Sequence, residues 1–241
     1  MLNVNSLERI VPDYLVNGDV TGKKTLDLHY ERYRFAKTFS KGKILDIACG
    51  VGYGSYFLAN ETIGLVDVTG VDIDEGAINY AQKTYQHNSL VFYAANAKKF
   101  DIGQKYDTIV SLETIEHVTK PRELIEHFFN LMNQDGYLIV SVPITPSVDI
   151  NPHHVNDFTE KSFESMFNLC GFKKVEKYYQ TQSYNPFGIL SGKEKRTSQI
   201  RQNLVVYYLM NPIAICKRVK SLLIDGFNNK YITIVFKKSV A

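Results

Sequence analysis

Short runs of apolar residues bounded by glycine and polar positions alternate along the chain with longer stretches in which apolar residues return every three or four places. The first kind predicts strands at Lys43–Ile47, Val66–Asp72, Leu90–Ala94, Tyr106–Leu112 and Gly136–Val142, each rich in Val, Ile, Leu or Tyr. The second predicts helices over Tyr53–Ala59, Glu75–His87 and Pro121–Met132, the last with proline in its first turn, where the missing amide costs nothing. Strands alternating with helices imply a mostly parallel sheet covered on both faces, and right-handed crossovers make it a doubly wound α/β fold whose ligands sit at the carboxyl ends of the strands. Further on, Thr159–Leu169 reads as a helix closed by Gly171, Phe172–Tyr179 as a strand, and Tyr231–Phe236 as a last strand pairing antiparallel, seven strands in all. Thr181–Arg201 is polar and loop-like, whereas residues 200–224 are apolar and helical in pattern. The expected organisation is a ligand-binding core over residues 1–180, with an N-terminal helical lid. Residues 181–241 form a basic extension that completes the sheet and carries the apolar helical insertion at about 200–224.

Composition narrows the class. With 241 residues, 44% of them hydrophobic and 22% charged, the sequence is neither disordered nor fibrous. The strongly apolar stretch Leu204–Cys216 is broken by Asn211 and Pro212 and is shorter than the ~20 residues a spanning helix needs. The N-terminal residues lack a basic segment followed by an apolar run, so no signal peptide is expected. Cys49, Cys170 and Cys216 lie far apart and form no C-x-x-C pair, which argues against disulfides and a thiolate zinc site and for a cytoplasmic setting. The net charge of +3 hides an asymmetry: residues 1–160 hold 14 Lys/Arg against 21 Asp/Glu, residues 161–241 hold 14 against 4. A tail so basic either faces an anionic partner, a membrane surface among them, or is a solvated charged face.

The segment Ile44-Leu45-Asp46-Ile47-Ala48-Cys49-Gly50-Val51-Gly52-Tyr53-Gly54 joins a buried strand to a helix through a glycine-rich turn that lets backbone approach a ligand closely. Twenty positions beyond Gly52, Asp72 ends the next strand, where a carboxylate can accept hydrogen bonds from both hydroxyls of a ribose. The spacing is G-x-G-x-G rather than G-x-G-x-x-G, with an acid ahead of it. In these residues, and in Gly70-Val71-Asp72-Ile73-Asp74, Asn96-Ala97 and the Gly136 strand, the chain resembles the class I S-adenosylmethionine-dependent methyltransferases, with a Rossmann-like sheet, over about residues 30–180. The run I-A-C-G-V-G-Y-G-S and the upstream Arg32-Tyr33-Arg34-Phe35-Ala36 are similar to those of methyltransferases from bacterial surface-polysaccharide clusters.

That resemblance implies S-adenosyl-L-methionine as cofactor. Asp46 and the backbone at Ala48, Gly50 and Gly52 would hold its methionine part, Asp72 the ribose, Asn96 and Ala97 the adenine edge, with Ile73 and Leu112 as further contacts and Arg32 at the carboxylate. The family usually carries Asp where Asn96 stands; an amide oxygen can still accept from the adenine amine.

After the Tyr106–Leu112 strand comes Glu113-Thr114-Ile115-Glu116-His117. This E-x-x-E-H pattern resembles that of ubiquinone-pathway O-methyltransferases and small-RNA 2′-O-methyltransferases, which implies Glu113, Glu116 and His117 as ligands of a divalent cation, Mg²⁺ for the oxygens or Mn²⁺ and Co²⁺ for the imidazole. The alternative is that His117 caps the turn and Glu116 pairs with a lysine. His154, in His154-x-x-x-Phe158-Thr159, is the expected general base or a further ligand, across the pocket from Glu113 and His117. The catalytic set is thus Glu113, His117 and His154.

Methyl transfer to a hydroxyl is the expected reaction, with a sugar or glycan intermediate first, a quinone-type phenol or small metabolite second and RNA last as acceptor; DNA is not expected. Two other classes remain open, an NAD(P)-dependent oxidoreductase and a non-catalytic module that binds the same cofactor. The place is cytoplasmic, with a peripheral position at the inner membrane face left open by the basic C-terminal part.

Overall fold

The computed structural model describes residues 9–15, 20–183, 201 and 203–239. Seven strands, β1 (Gly42–Ile47), β2 (Leu65–Asp72), β3 (Leu90–Ala94), β4 (Tyr106–Leu112), β5 (Met132–Pro143), β6 (Phe172–Ser183) and β7 (Asn228–Lys238), form one sheet in the order β3-β2-β1-β4-β5-β7-β6. The first five run parallel, and β7 is antiparallel to both β5 and β6. Among the described residues the α-helices are α1 (Val20–Lys37), α2 (Tyr53–Glu61), α3 (Glu75–Thr84), α4 (Pro121–Leu131), α5 (Glu160–Leu169), α6 (Leu204–Met210) and α7 (Pro212–Asp225).

The period-two alternation of the strands sorts their side chains onto two faces, each with a large apolar core. Leu45, Ile47, Ile109, Leu138 and Val140 face α4 and α5, where Leu124, Phe128, Phe163 and Phe167 meet them. Ile44, Val68, Val110, Ile139 and Val235 face the other way, onto Tyr33 and Ala36 of α1 and Leu58 and Ala59 of α2. Burial on both faces is why these strands read as near-continuous apolar runs.

Several boundaries differ from the sequence reading for local reasons. Helix α3 ends at Thr84 rather than His87, because the His87 carbonyl and ring nitrogen accept from Leu90 N (3.1 Å) and Ser89 N (3.2 Å) and turn the chain into β3. Strand β5 starts at Met132, directly after α4, with a register shift against β4 between Tyr106 and Thr108. Strand β6 extends to Ser183, because Tyr179–Ser183 pair with Asn228–Ile232. A division at residue 180 therefore falls inside a strand, and the extension is woven into the same sheet as the core. The rest of the polar stretch, 184–200, lies outside the described residues. The insertion is two helices, α6 and α7, bent at Asn211–Pro212.

Candidate active site at the carboxyl ends of the strands

The sheet order reverses between β1 and β4, and the chain leaves both strands in the left-handed region without glycine: φ is 62° at Ala48 and 51° at Glu113. Such a conformation costs a residue bearing a Cβ about 1–2 kcal/mol. The two residues flank a cleft of about 90 Å³ lined by Arg9, Arg32, Tyr33, Gly50, Tyr53 and Leu112 among others. Gly50, at φ 59°, faces it: a Cβ built there meets nothing within 4 Å, so the turn offers bare backbone to an open space. Gly54 is small for a different reason, since a Cβ there would lie 1.8 Å from the Tyr33 ring.

Tyr33 lies against Gly54 and reaches Asp46. Its hydroxyl donates to the Asp46 carboxylate at 3.1 Å, and the Ser55 hydroxyl donates at 2.6 Å. Asp46 is buried beneath the glycine turn rather than in the cleft wall. Desolvation pushes its pKa up to about 7, against the opposing effect of the Ser55 and Tyr33 hydrogen bonds. The sequence allows Tyr33 either a contact to the cofactor carboxylate or packing; the structure sets its hydroxyl on Asp46 and its ring against Gly54.

Asp72 ends β2 with both oxygens engaged. Oδ2 accepts from Gly50 N and Oδ1 from Asp74 N, each at 2.9 Å. These bonds lock the acid to the glycine turn and to the start of α3. Arg9, which the sequence reading did not single out, donates to Asp74 Oδ2 at 2.5 Å and to Asp72 Oδ1 at 3.4 Å. The guanidinium holds the Asp74 carboxyl below its ordinary range. Ile10 and Val11 beside it are buried, and Tyr80 donates to Asp13 at 2.5 Å, so residues 9–15 lie as a strap over the carboxyl end of β2.

Of the remaining expected cofactor contacts, Leu112, Ala48 and Arg32 line the cleft. Arg32 is buried, donates from Nε to Gln180 Oε1 at 2.7 Å, stacks over the Tyr231 ring at 4.6 Å and comes within 3.9 Å of Glu113 Oε1. Gly52 caps α2 in the left-handed region and lies behind the turn. Asn96 is exposed and its Oδ1 accepts from Lys98 N; Ala97 packs on the core, and Ile73 is exposed.

The acidic–imidazole cluster differs from the set expected for a cation. Glu116, His117 and His154 bring ligand atoms within 4.8 Å of one another, with Glu116 fully buried and the two rings 4.7 Å apart edge to face. Glu113 does not join them: it turns to Ser141, whose hydroxyl donates to its Oε1 at 2.7 Å, and to Arg32. The 144–158 loop delivers His154, because Val155 N and Asn156 N donate to the Glu116 carbonyl. His117 Nδ1 meets the His153 carbonyl at 3.2 Å and His154 Nδ1 meets Ser147 Oγ at 2.7 Å, contacts that orient metal-binding imidazoles in general.

A family model described as a methyltransferase domain matches residues 38–198. Among named proteins, the chain is 26% identical over 141 residues to malonyl-[acyl-carrier protein] O-methyltransferase of Bacillus anthracis, covering 58% of this chain and 46% of that one. It is 32% identical over 107 residues to the ubiquinone biosynthesis O-methyltransferase of Glaesserella parasuis, covering 41% and 44%. The matches thus span about half the length of these relatives or less. Among solved structures it resembles the N-methyltransferase NodS of Bradyrhizobium japonicum with S-adenosyl-L-homocysteine (TM-score 0.58, 14% identity, 88% and 86% covered). It also resembles the [4+2]-cyclase SpnF (TM-score 0.64, 12%, 94% and 86%), a likeness of fold alone. The glycine turn locked to a strand-end acid and the family match over two thirds of its length agree: the chain belongs to the class I S-adenosylmethionine-dependent methyltransferases.

Proposed function

We propose that this protein transfers the methyl group of S-adenosylmethionine to a hydroxyl oxygen of a sugar or glycan intermediate, with a divalent cation held by Glu116, His117 and His154. The observation that supports the methyl-transfer reading is the bond from Gly50 N, in the cleft wall, to Asp72 Oδ2, which sets a strand-end carboxylate able to accept from a ribose beside a stretch of bare backbone. The two relatives described above are both named as O-methyltransferases, which supports oxygen as the accepting atom. When bound, the cofactor supplies a methyl group already activated by a sulfonium, so the protein's task is to position, desolvate and take up a proton. In this reading Arg32, which lines the cleft, would meet the carboxylate of the methionine part, and Glu113, held by Ser141, a donor group beside it. A single carboxylate with two imidazoles favours Mn²⁺, Co²⁺ or Zn²⁺ over Mg²⁺, which prefers oxygen donors. Such an ion would lower the pKa of an acceptor hydroxyl; without one, His154 is the base within reach.

The test is thermal unfolding with S-adenosylhomocysteine, with NAD(P) as comparison. At 100 times its dissociation constant the ligand adds about 2.7 kcal/mol, a rise of roughly 5–10 °C for a chain of this size. A rise with NAD(P) alone would overturn the reading. For the cation, Co²⁺ titration of the wild type is expected to give a visible absorption band that Glu116→Gln and His154→Ala abolish and Glu113→Gln retains. A band equally lost in Glu113→Gln would restore the set read from the sequence.

The strap yields its own expectation. Arg9 must leave Asp72 before ribose hydroxyls can use Oδ1, and a partly buried pair of this kind is worth about 1 kcal/mol. Arg9→Ala should therefore tighten S-adenosylhomocysteine binding about three- to tenfold at low salt by isothermal titration. Weaker binding would mean that Arg9 contacts the ligand itself.

A further inference from the structure

Helices α6 and α7 are built inside out. A surface helix of a water-soluble domain turns its apolar stripe to the core and its charges to solvent. In α7 the inward positions are Ala214, Arg218, Ser221 and Asp225, at helical spacing, while Ile213, Val219, Leu223 and Ile224 point outward. Arg218 grips Asp149 through Nε (2.8 Å) and Nη2 (2.6 Å), and donates to the Pro146 carbonyl (2.7 Å); Asp225 pairs with Lys230 at 2.7 Å. In α6, Leu209 and Met210 are 76% and 77% exposed, and Leu223 of α7 is 83% exposed. Half of the exposed large hydrophobic residues of the described chain fall between Val205 and Phe227. So many exposed apolar side chains on one hairpin, held outward by a polar root, mark a contact surface.

We propose that the α6–α7 hairpin lies in the interfacial layer of an anionic lipid bilayer, its apolar side chains among the acyl chains and its lysines among the headgroups. Charge is what selects lipid over a second copy of this chain. Residues 203–224 hold Lys217, Arg218 and Lys220 and no carboxylate; Arg218 is taken up by Asp149, while Lys217, 3.5 Å from Asp157, and Lys220 are exposed among the apolar positions. A two-fold interface would bring two copies of this carboxylate-free basic patch together, since an isologous contact pairs a patch with itself. Anionic headgroups neutralise them, and the apolar face with basic flanks is the composition of helices that lie in a membrane surface. Length fixes the mode: α7 has 14 residues, about 21 Å, and the hairpin bends at Pro212. None of the described helices is long and apolar enough to cross a membrane, so the hairpin lies on the bilayer rather than through it.

The experiment is co-sedimentation of the full chain with liposomes of phosphatidylcholine alone and of phosphatidylcholine with phosphatidylglycerol, together with light scattering in their absence. It needs neither cofactor nor acceptor, so it succeeds or fails independently of the proposed reaction. Wild type is expected to pellet with the anionic liposomes at least fivefold more than with neutral ones, and to be released by high salt. The double variant Leu209→Asp/Leu223→Asp should lose at least tenfold in partitioning with its unfolding midpoint unchanged, because both side chains are exposed. Lys217→Glu/Lys220→Glu, which keeps the apolar surface, should erase the preference for anionic lipid. Wild type that stays in the supernatant with anionic liposomes overturns the proposal. So does a dimer in light scattering that the double variant converts to monomer, which would give the face to a second copy.

Discussion

Asp72→Ala is expected to weaken S-adenosylhomocysteine binding by about 100- to 1,000-fold in isothermal titration. A carboxylate can accept from both ribose hydroxyls at once, and hydrogen bonds to a charged acceptor are worth about 1.5–3 kcal/mol each. The same acid also accepts from Gly50 N and Asp74 N, so its removal loosens the turn that must present backbone to the ligand. Asp72→Asn separates the two contributions. The amide oxygen can keep one backbone donor, whereas the amide nitrogen opposes a hydroxyl, so a smaller loss of about tenfold to 100-fold is expected, with the midpoint of the unliganded protein closer to wild type. Affinity within threefold of wild type in Asp72→Ala would remove the ribose from this end of β2.

Asp46→Asn should stabilise the protein at pH 8 by about 2–4 kcal/mol and leave it nearly unchanged at pH 4. The buried carboxyl titrates near 7 in the folded state against 3.8 in its ordinary setting. Below pH 4 both states hold the proton and the acid costs nothing. As the pH rises towards 7 the unfolded chain releases its proton while the folded chain keeps it, so stability falls; above 7 the full cost is carried, about 1.4 kcal/mol for each unit of difference. Asparagine has no such charge to bury, and the Tyr33 and Ser55 hydroxyls can rotate to match an amide. The difference in unfolding midpoint between variant and wild type should grow from near zero at pH 4 to roughly 5–15 °C at pH 8. A difference independent of pH would mean that Asp46 is ionised in the folded protein.

The strands that build the cleft were legible because burial on both faces writes itself as continuous Val, Ile and Leu, and because the glycine turn needs residue types that few other structures need. Asp46 and Asp72 could be located at strand ends, but sequence could not say that one is sealed beneath the turn by Tyr33 and Ser55 while the other meets the strap. Spacing placed Glu113, Glu116 and His117 together, as a short turn would. The left-handed backbone at Glu113 sends that side chain to Ser141 instead, and the loop bond from Val155 N to the Glu116 carbonyl brings His154, nearly forty residues on, into its place. Arg9 was illegible because its partners are more than sixty residues away. The α6–α7 pattern could be read as apolar and helical; that its polar face turns inward follows from Asp149, far away in sequence, receiving Arg218.

The position of β7 between β5 and β6 also sets an order of assembly during synthesis. β5 and β6 are neighbours in sequence yet share no hydrogen bonds, and the strand that joins them begins at Asn228, after the hairpin has been made. Until then Phe163, Phe167 and Phe172 lack Ile232, Ile234 and Phe236 to pack upon. A chain that has not yet paired β7 therefore exposes one ragged sheet edge and one apolar hairpin together, a stage at which slow non-local pairing favours aggregation. Early capture of the hairpin by lipid would shelter the nascent protein through that interval, so anionic liposomes present during cell-free translation should raise the yield of folded, liposome-bound protein.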